Sequence, residues 1–244
     1  MQWLTSLSNR LKINRLASTV IDSLWQANCP LCKRSTDGIL CKDCDRQISA
    51  CQSPEFLQAD YPISPDLPLY SWGIYDGALK RAIAACKYGN HPAIMEAIAE
   101  KIATTWKRSP HAKALIQNYK KLSVIPIPLH ANKLKSRGFN QAEILAQRFC
   151  DLSALPCHPQ LLQRVKDTKA QMQTKSITER NQNLSHAFAV PLPHRSPQTN
   201  PRSVILVDDI YTTGATIHEA IATLAHSNLI VRAVVVISRP QFKK

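Results

Sequence analysis

The chain is poor in acids, aromatics and glycine. Its 244 residues carry 17 Asp and Glu against 31 Lys and Arg, a formal net charge of +14. Such a shortage of negative charge points to an anionic partner. Nucleic acid, nucleotide phosphates and membrane surfaces all fit, and charge alone does not choose among them. Aromatics make up 6% of the residues, which leaves few platforms for stacking unpaired bases. No run of about 18 apolar residues occurs, so no bilayer-spanning helix is predicted. After Met1, Gln2-Trp3-Leu4 opens no continuous apolar core and no small-residue cleavage site follows. No signal peptide is therefore predicted, and the expected location is the cytoplasm. Neither an internal repeat nor a low-complexity tract is present.

The hydrophobic fraction of 44% is ordinary for a globular protein. At this length it supports one good core plus a small accessory module. Leu4, Leu7, Leu11, Leu16, Val20 and Leu24 recur at helical intervals around Arg10, Lys12 and Arg15. Residues 1–27 are thus expected to hold a basic amphipathic helix, packed on the protein or peripheral to the inner membrane.

Four of eight cysteines, Cys29, Cys32, Cys41 and Cys44, form two tight CxxC pairs within residues 28–51. Two such turns present four thiolates to one tetrahedral ion, so a structural Zn²⁺ is expected. The gap between the pairs is shorter than in most zinc ribbons, and Asp37-Gly38 supplies the tight turn it needs. A redox pair is the rival reading. Residues 52–68 carry Pro54, Pro62, Pro65 and Pro68 and read as a linker.

Residues 69–244 alternate apolar strands with helices. Strands are expected at Leu69–Tyr75, Leu122–Pro128, Ala187–Val190, Val204–Val207 and Leu229–Ser238. Helices are expected at Gly77–Tyr88, Pro92–Lys107, Gln141–Leu152 and Ala215–Ala225. That is the pattern of an α/β fold with a parallel sheet covered on both faces. Val204–Val207 runs into Asp208, Asp209 and then Thr212-Thr213-Gly214-Ala215-Thr216. A buried strand so delivers two carboxylates to the carboxyl edge, where open α/β sheets bind ligands. Threonine hydroxyls and the unpaired N–H groups of a helix start then suit a phosphate. Consecutive strand residues point to opposite faces, so only one acid is expected to face the ligand directly.

This segment resembles the phosphoribosyl pyrophosphate motif of the type I phosphoribosyltransferases. The resemblance implies that Asp208 and Asp209 contact ribose hydroxyls and that Thr212, Thr213, Gly214, Ala215 and Thr216 cradle the 5-phosphate. Mg²⁺ would enter with the pyrophosphate. Upstream, Val124-Ile125-Pro126-Ile127-Pro128 leads into the basic loop Lys133-Leu134-Lys135-Ser136-Arg137-Gly138-Phe139-Asn140-Gln141. Arg164, Thr168, Gln171, Arg180, Asn183, Ala187 and Phe188 follow in a long polar stretch. Together with the paired CxxC turns these resemble the competence protein F (ComF) family, linked to DNA uptake. The likeness implies a type I phosphoribosyltransferase-like parallel sheet with flanking helices behind a four-cysteine zinc module. It implies Lys135, Arg137 and Gly138 on the pyrophosphate side, and Arg164–Arg180 as a mobile hood. One departure is Thr174, where relatives commonly carry leucine.

Three functions follow as expectations. The first is a DNA-uptake factor whose pocket binds phosphoribosyl pyrophosphate, a nucleotide-like ligand or the phosphodiester of single-stranded DNA. The second is an active phosphoribosyltransferase acting on a nitrogen nucleophile, with Asp208, Asp209 and Arg137 as candidate catalytic residues. The third is an adaptor docking onto an uptake helicase or the membrane.

Overall fold

The structure is a computed structural model that describes residues 27–57, 61–166, 186–191 and 202–240. The expected N-terminal helix and most of the expected hood lie outside the described residues.

Four strands rich in Val, Ile and Leu form a parallel sheet: β2 (Leu67–Ile74), β3 (Leu122–Pro126), β6 (Ser203–Ile210) and β7 (Ile230–Arg239). With β1 (Tyr61–Ser64) antiparallel on β2, the order is β1-β2-β7-β6-β3. Side chains alternate between the two faces, and both faces are buried. Tyr70, Trp72, Val124, Ile205, Val207, Val235 and Ile237 point into one core. That core is covered by α2 (Gly77–Gly89), α3 (Ala93–Arg108) and α6 (Gln141–Ser153). Leu69, Ile125, Val204, Leu206, Val234 and Val236 point the other way, under α7 (Ala215–Ala225). Within the first core Phe56, Tyr70, Trp106 and Phe149 pack edge to face at 5.7, 5.0 and 5.5 Å between successive ring centroids. That geometry favours aromatic pairs beyond the area they bury.

The proline-rich stretch does more than connect. Pro54–Leu57 is a 3-10 turn that buries Phe56, and Pro62 sits in β1. The prolines exclude helix there, but an edge strand tolerates a missing N–H. The module with the paired cysteines is correspondingly docked. Its helix α1 (Lys42–Ser49) buries Ile48 in the first core, while Lys101 Nζ reaches Asp45 at 2.7 Å and Ser49 Oγ at 2.9 Å. The Ser53 N–H donates to the Trp72 carbonyl at 2.7 Å. Backbone approaches so closely here that a Cβ on Gly73 would lie 2.6 Å from the Cys51 carbonyl oxygen.

Two further helices complete the described fold. α4 (Pro110–Asn118) starts with proline at its first position, capped by Ser109. Where a basic loop was expected, Ala131–Arg137 forms a short helix, α5, capped by the His130 side chain and ended by Gly138 at φ 83°. Gln163–Arg164 (β4) and Phe188–Ala189 (β5) pair antiparallel as a small ribbon. Beyond β3, Val124 exchanges backbone hydrogen bonds with Pro156 and His158, which closes the middle of that edge.

Candidate functional site

Cys29 and Cys32 occupy a turn closed by hydrogen bonds of 2.8 Å between Cys29 and Arg34 and between Lys33 and Cys29. Cys41 is the N-terminal cap of α1, and Cys44 lies in its first turn, where burial first and the neighbouring sulfurs of Cys32, Cys41 and Cys29 second push its thiol up. All four sulfurs lie within 4.8 Å of one another. A tetrahedral zinc with bonds of about 2.3 Å needs sulfurs about 3.8 Å apart, so the cluster has the size of the ion. Burial raises the Cys29 thiol, but the N–H groups of Cys41, Cys32 and Leu31 outweigh it and bring the net value down. The Arg34 Nε–H donates to Cys32 Sγ at 3.4 Å and pulls that thiol down to about 6. Arg34 is itself held by Asp43 at 2.7 Å, a support of the kind that orients metal ligands. The donor set fits a closed, structural four-thiolate site.

The second cluster lies at the carboxyl edge of the sheet. Strand β6 extends through Ile210 and so carries both acids. Asp208 follows Val204 and Leu206 onto the α7 face, and Asp209 follows Ile205 and Val207 onto the other. Asp208 is half-buried and its Oδ1 accepts the Asp209 N–H at 2.8 Å. Burial first, and the Asp209 charge second, push Asp208 up to about 7, against the pull of Lys87 and Arg164. Asp209 is 5% exposed. Its Oδ2 accepts from Lys87 Nζ at 2.6 Å and from Gln141 Nε2 at 2.8 Å.

The side-chain partners of Asp209 come from two elements, α2 and α6. Lys87 sits four residues after Ile83 on the buried face of α2, so its stem is covered and its amine emerges at the acid. Burial lowers its pKa, but the Asp209 charge and hydrogen bond prevail and hold it above the ordinary value. Asn140 caps α6 and donates to the Ile127 carbonyl at 3.1 Å, which fixes where that helix starts. Gln141, the first residue of α6, thereby reaches Asp209 with its amide nitrogen and accepts from Arg137 Nη1 with its oxygen. Arg137 thus joins the acids through Gln141, whereas Lys135 and Gly138 lie exposed on and just beyond α5.

After Ile210 the chain turns through Thr212 and Thr213, and α7 begins at Ala215 behind Gly214. Gly214 adopts φ 77°, a conformation that favours glycine, and no side chain caps the helix. The first N–H groups of a helix have no partners within the helix itself, an arrangement that suits an anion. Tyr211 folds its ring onto this turn. A Cβ on Gly214 would stand 2.7 Å from Tyr211 Cζ. The Tyr211 N–H donates to the Ser238 carbonyl at 3.0 Å, tying the loop to β7. On the Asp208 face, the guanidinium of Arg164 lies 5.6 Å from the centre of the Phe188 ring.

The structure therefore brings Asp208, Asp209, Thr212, Thr213, Gly214, Ala215 and Thr216 to one edge. Lys87 and Tyr211 are additions that sequence reasoning missed. A lysine in helical register with Leu79 and Ile83 on an apolar face was the available signal for Lys87. For Tyr211 there was none beyond its position beside the threonines.

A parallel sheet ending in paired acids, followed by a threonine–glycine turn at a helix start, defines a phosphoribosyltransferase-type domain. Residues 133–244 match the phosphoribosyl transferase domain family. The chain is 38% identical over 98 residues to Competence protein F of Haemophilus influenzae, an alignment covering 40% of this chain and 41% of that protein. It is 27% identical over 193 residues to Competence protein ComFC of Bacillus subtilis, covering 79% and 69% of the two chains. DNA utilization protein YhgH of Escherichia coli is 25% identical over 193 residues, covering 78% and 81%. These matches make the chain similar to the competence protein F family over a phosphoribosyltransferase-type domain.

Proposed function

We propose that this protein serves DNA uptake in natural transformation by binding a phosphoribosyl group, as phosphoribosyl pyrophosphate or a nucleotide-like ligand, at the carboxyl edge of its sheet. The observation that carries the reading is the pairing of the two acids of β6 with the donor turn 212–216 at the start of α7. In this reading Asp208 and Asp209 accept from the ribose hydroxyls. Thr212, Thr213, Gly214, Ala215 and Thr216 hold the 5-phosphate. Arg137, with Lys135 and Gly138 beside it, faces the pyrophosphate. Zn²⁺ on the four cysteines holds the N-terminal module in shape, and Mg²⁺ arrives with the pyrophosphate. The competence and DNA-utilisation names of the relatives support the biological setting. An uptake helicase is the protein partner expected for the zinc module.

Isothermal titration of the full chain with phosphoribosyl pyrophosphate, with and without Mg²⁺, tests the pocket. Saturable binding that disappears in an Asp208→Asn/Asp209→Asn variant is expected, and undiminished binding in that variant overturns the reading. Pyrophosphate release in the presence of bases and amines would establish the alternative, phosphoribosyl transfer. In that reaction the C1–O bond to pyrophosphate breaks and a C1–N bond forms.

A further inference from the structure

The opposite, amino edge of the sheet carries a second charged cleft. It has a volume of about 500 Å³, and Tyr119, Lys120, Lys121, Pro156 and His158 are among the residues lining it. Lys120 and Lys121 are exposed, and immediately precede β3. Arg232 comes across from the start of β7 and stacks its guanidinium on the Tyr119 ring, 4.4 Å from the centroid. Arg232 Nε also donates to Ser203 Oγ at 3.4 Å, which anchors the stack to β6. Arg202, exposed, precedes the same strand. The nearest acid along the lining segment, Asp151 on α6, accepts from Gln147 at 3.0 Å. The local sequence is equally one-sided: between Glu100 and Glu143 there are nine Lys and Arg and no Asp or Glu.

We propose that this cleft is a single-stranded polynucleotide site, with Lys120, Lys121 and Arg232 facing the phosphodiesters and Tyr119 as the platform for a base. The chemistry selects this ligand. Several cations set around a partly buried aromatic ring suit a strand with repeated charges and exposed bases. Arg232 stacks on Tyr119, and the tyrosine itself lines the cleft. The site is separate from the phosphoribosyl pocket, since β3 and β6 run from one edge of the sheet to the other. It shares with the proposed function only the expectation that the protein meets DNA.

The test uses the zinc-loaded full chain and fluorescent oligothymidylate and oligouridylate strands of about 20 nucleotides, followed by anisotropy at several salt concentrations. Lys120→Gln/Lys121→Gln is expected to weaken binding about ten-fold at low salt and to flatten the log–log salt slope by about 1.4, roughly 0.7 per cation for a single strand. Tyr119→Leu is expected to weaken binding about five-fold or more with little change in slope. Both variants should keep the wild-type titration with phosphoribosyl pyrophosphate, which also reports that they are folded. Tighter binding of the deoxy strand assigns DNA to the site, and tighter binding of the ribo strand assigns RNA. Unchanged affinity and slope in the lysine variant overturn the proposal. Strand binding lost only in Asp208→Asn/Asp209→Asn would overturn it too, and would move the strand to the other edge.

Discussion

Lys87 Nζ lies 2.6 Å from Asp209 Oδ2, both side chains largely covered, at the point where the acids leave the strand. A chain of only 17 acids places two of them side by side here. The lysine supplies a positive charge that offsets their repulsion.

Removing that lysine alone should be severe. Lys87→Met leaves Asp209 covered and unpaired, and breaking a buried pair this way costs about 3–5 kcal/mol. Denaturant unfolding is the measurement. The double variant Lys87→Met/Asp209→Leu should recover most of the loss, because both charges are gone. Equal losses in the single and double variants would mean that the pair is not coupled.

Asp208 should trade stability for binding. Its folded pKa is raised from 3.8 to about 7, so the folded state holds a proton that the unfolded state gives up. Stability from this group is therefore fully present at acidic pH and falls as the pH climbs through that window. Asp208→Asn should flatten this decline and raise the melting temperature above pH 7, by roughly 2–4 °C for each 1 kcal/mol gained. In the wild type, affinity for phosphoribosyl pyrophosphate should rise as Asp208 ionises around pH 7. Titrations across that range read it directly, and a flat profile would remove Asp208 from the contact.

Gly214→Ala meets two obstacles at once, φ 77° and the Tyr211 ring. The left-handed conformation alone costs about 1–2 kcal/mol. The variant should lose most ligand affinity in calorimetry while keeping its far-ultraviolet circular dichroism. Tyr211→Leu/Gly214→Ala should restore part of the stability, because only the steric component is relieved.

Zinc should be felt by the whole protein. The module anchors Ile48 in the first core and Lys101 on α3. Elemental analysis should find about one zinc per chain, and Cys41→Ser should abolish it. Calorimetry should then show one cooperative transition shifted downward. An early, separate transition would show that the module melts alone.

Much of this was legible in the sequence, and the exceptions have physical reasons. The span of α7 coincides with the residues that its periodicity indicated, since Gly214 marks the start and apolar spacing the rest. The paired acids were visible because they follow four apolar residues and stand directly before a threonine–glycine turn, more than a helix cap requires. Edge strand β1 was hidden because prolines deny donors, and only a neighbouring strand reveals that the donors were not needed. Helix α5 was hidden by its charge, because a short exposed helix has no apolar stripe to announce it. Lys87 is distant from the acids in sequence, so its role depended on how α2 packs, which periodicity suggests but does not specify.

Both outer margins of the sheet are interrupted among the described residues. β1 offers a proline and a register shift between Pro62 and Ser64, and Val124 on β3 is already engaged by Pro156 and His158. A free strand edge invites another chain to continue the ladder. Each side here breaks such a ladder at one point. Partners must then be chosen by charge and shape at the two ends of the strands.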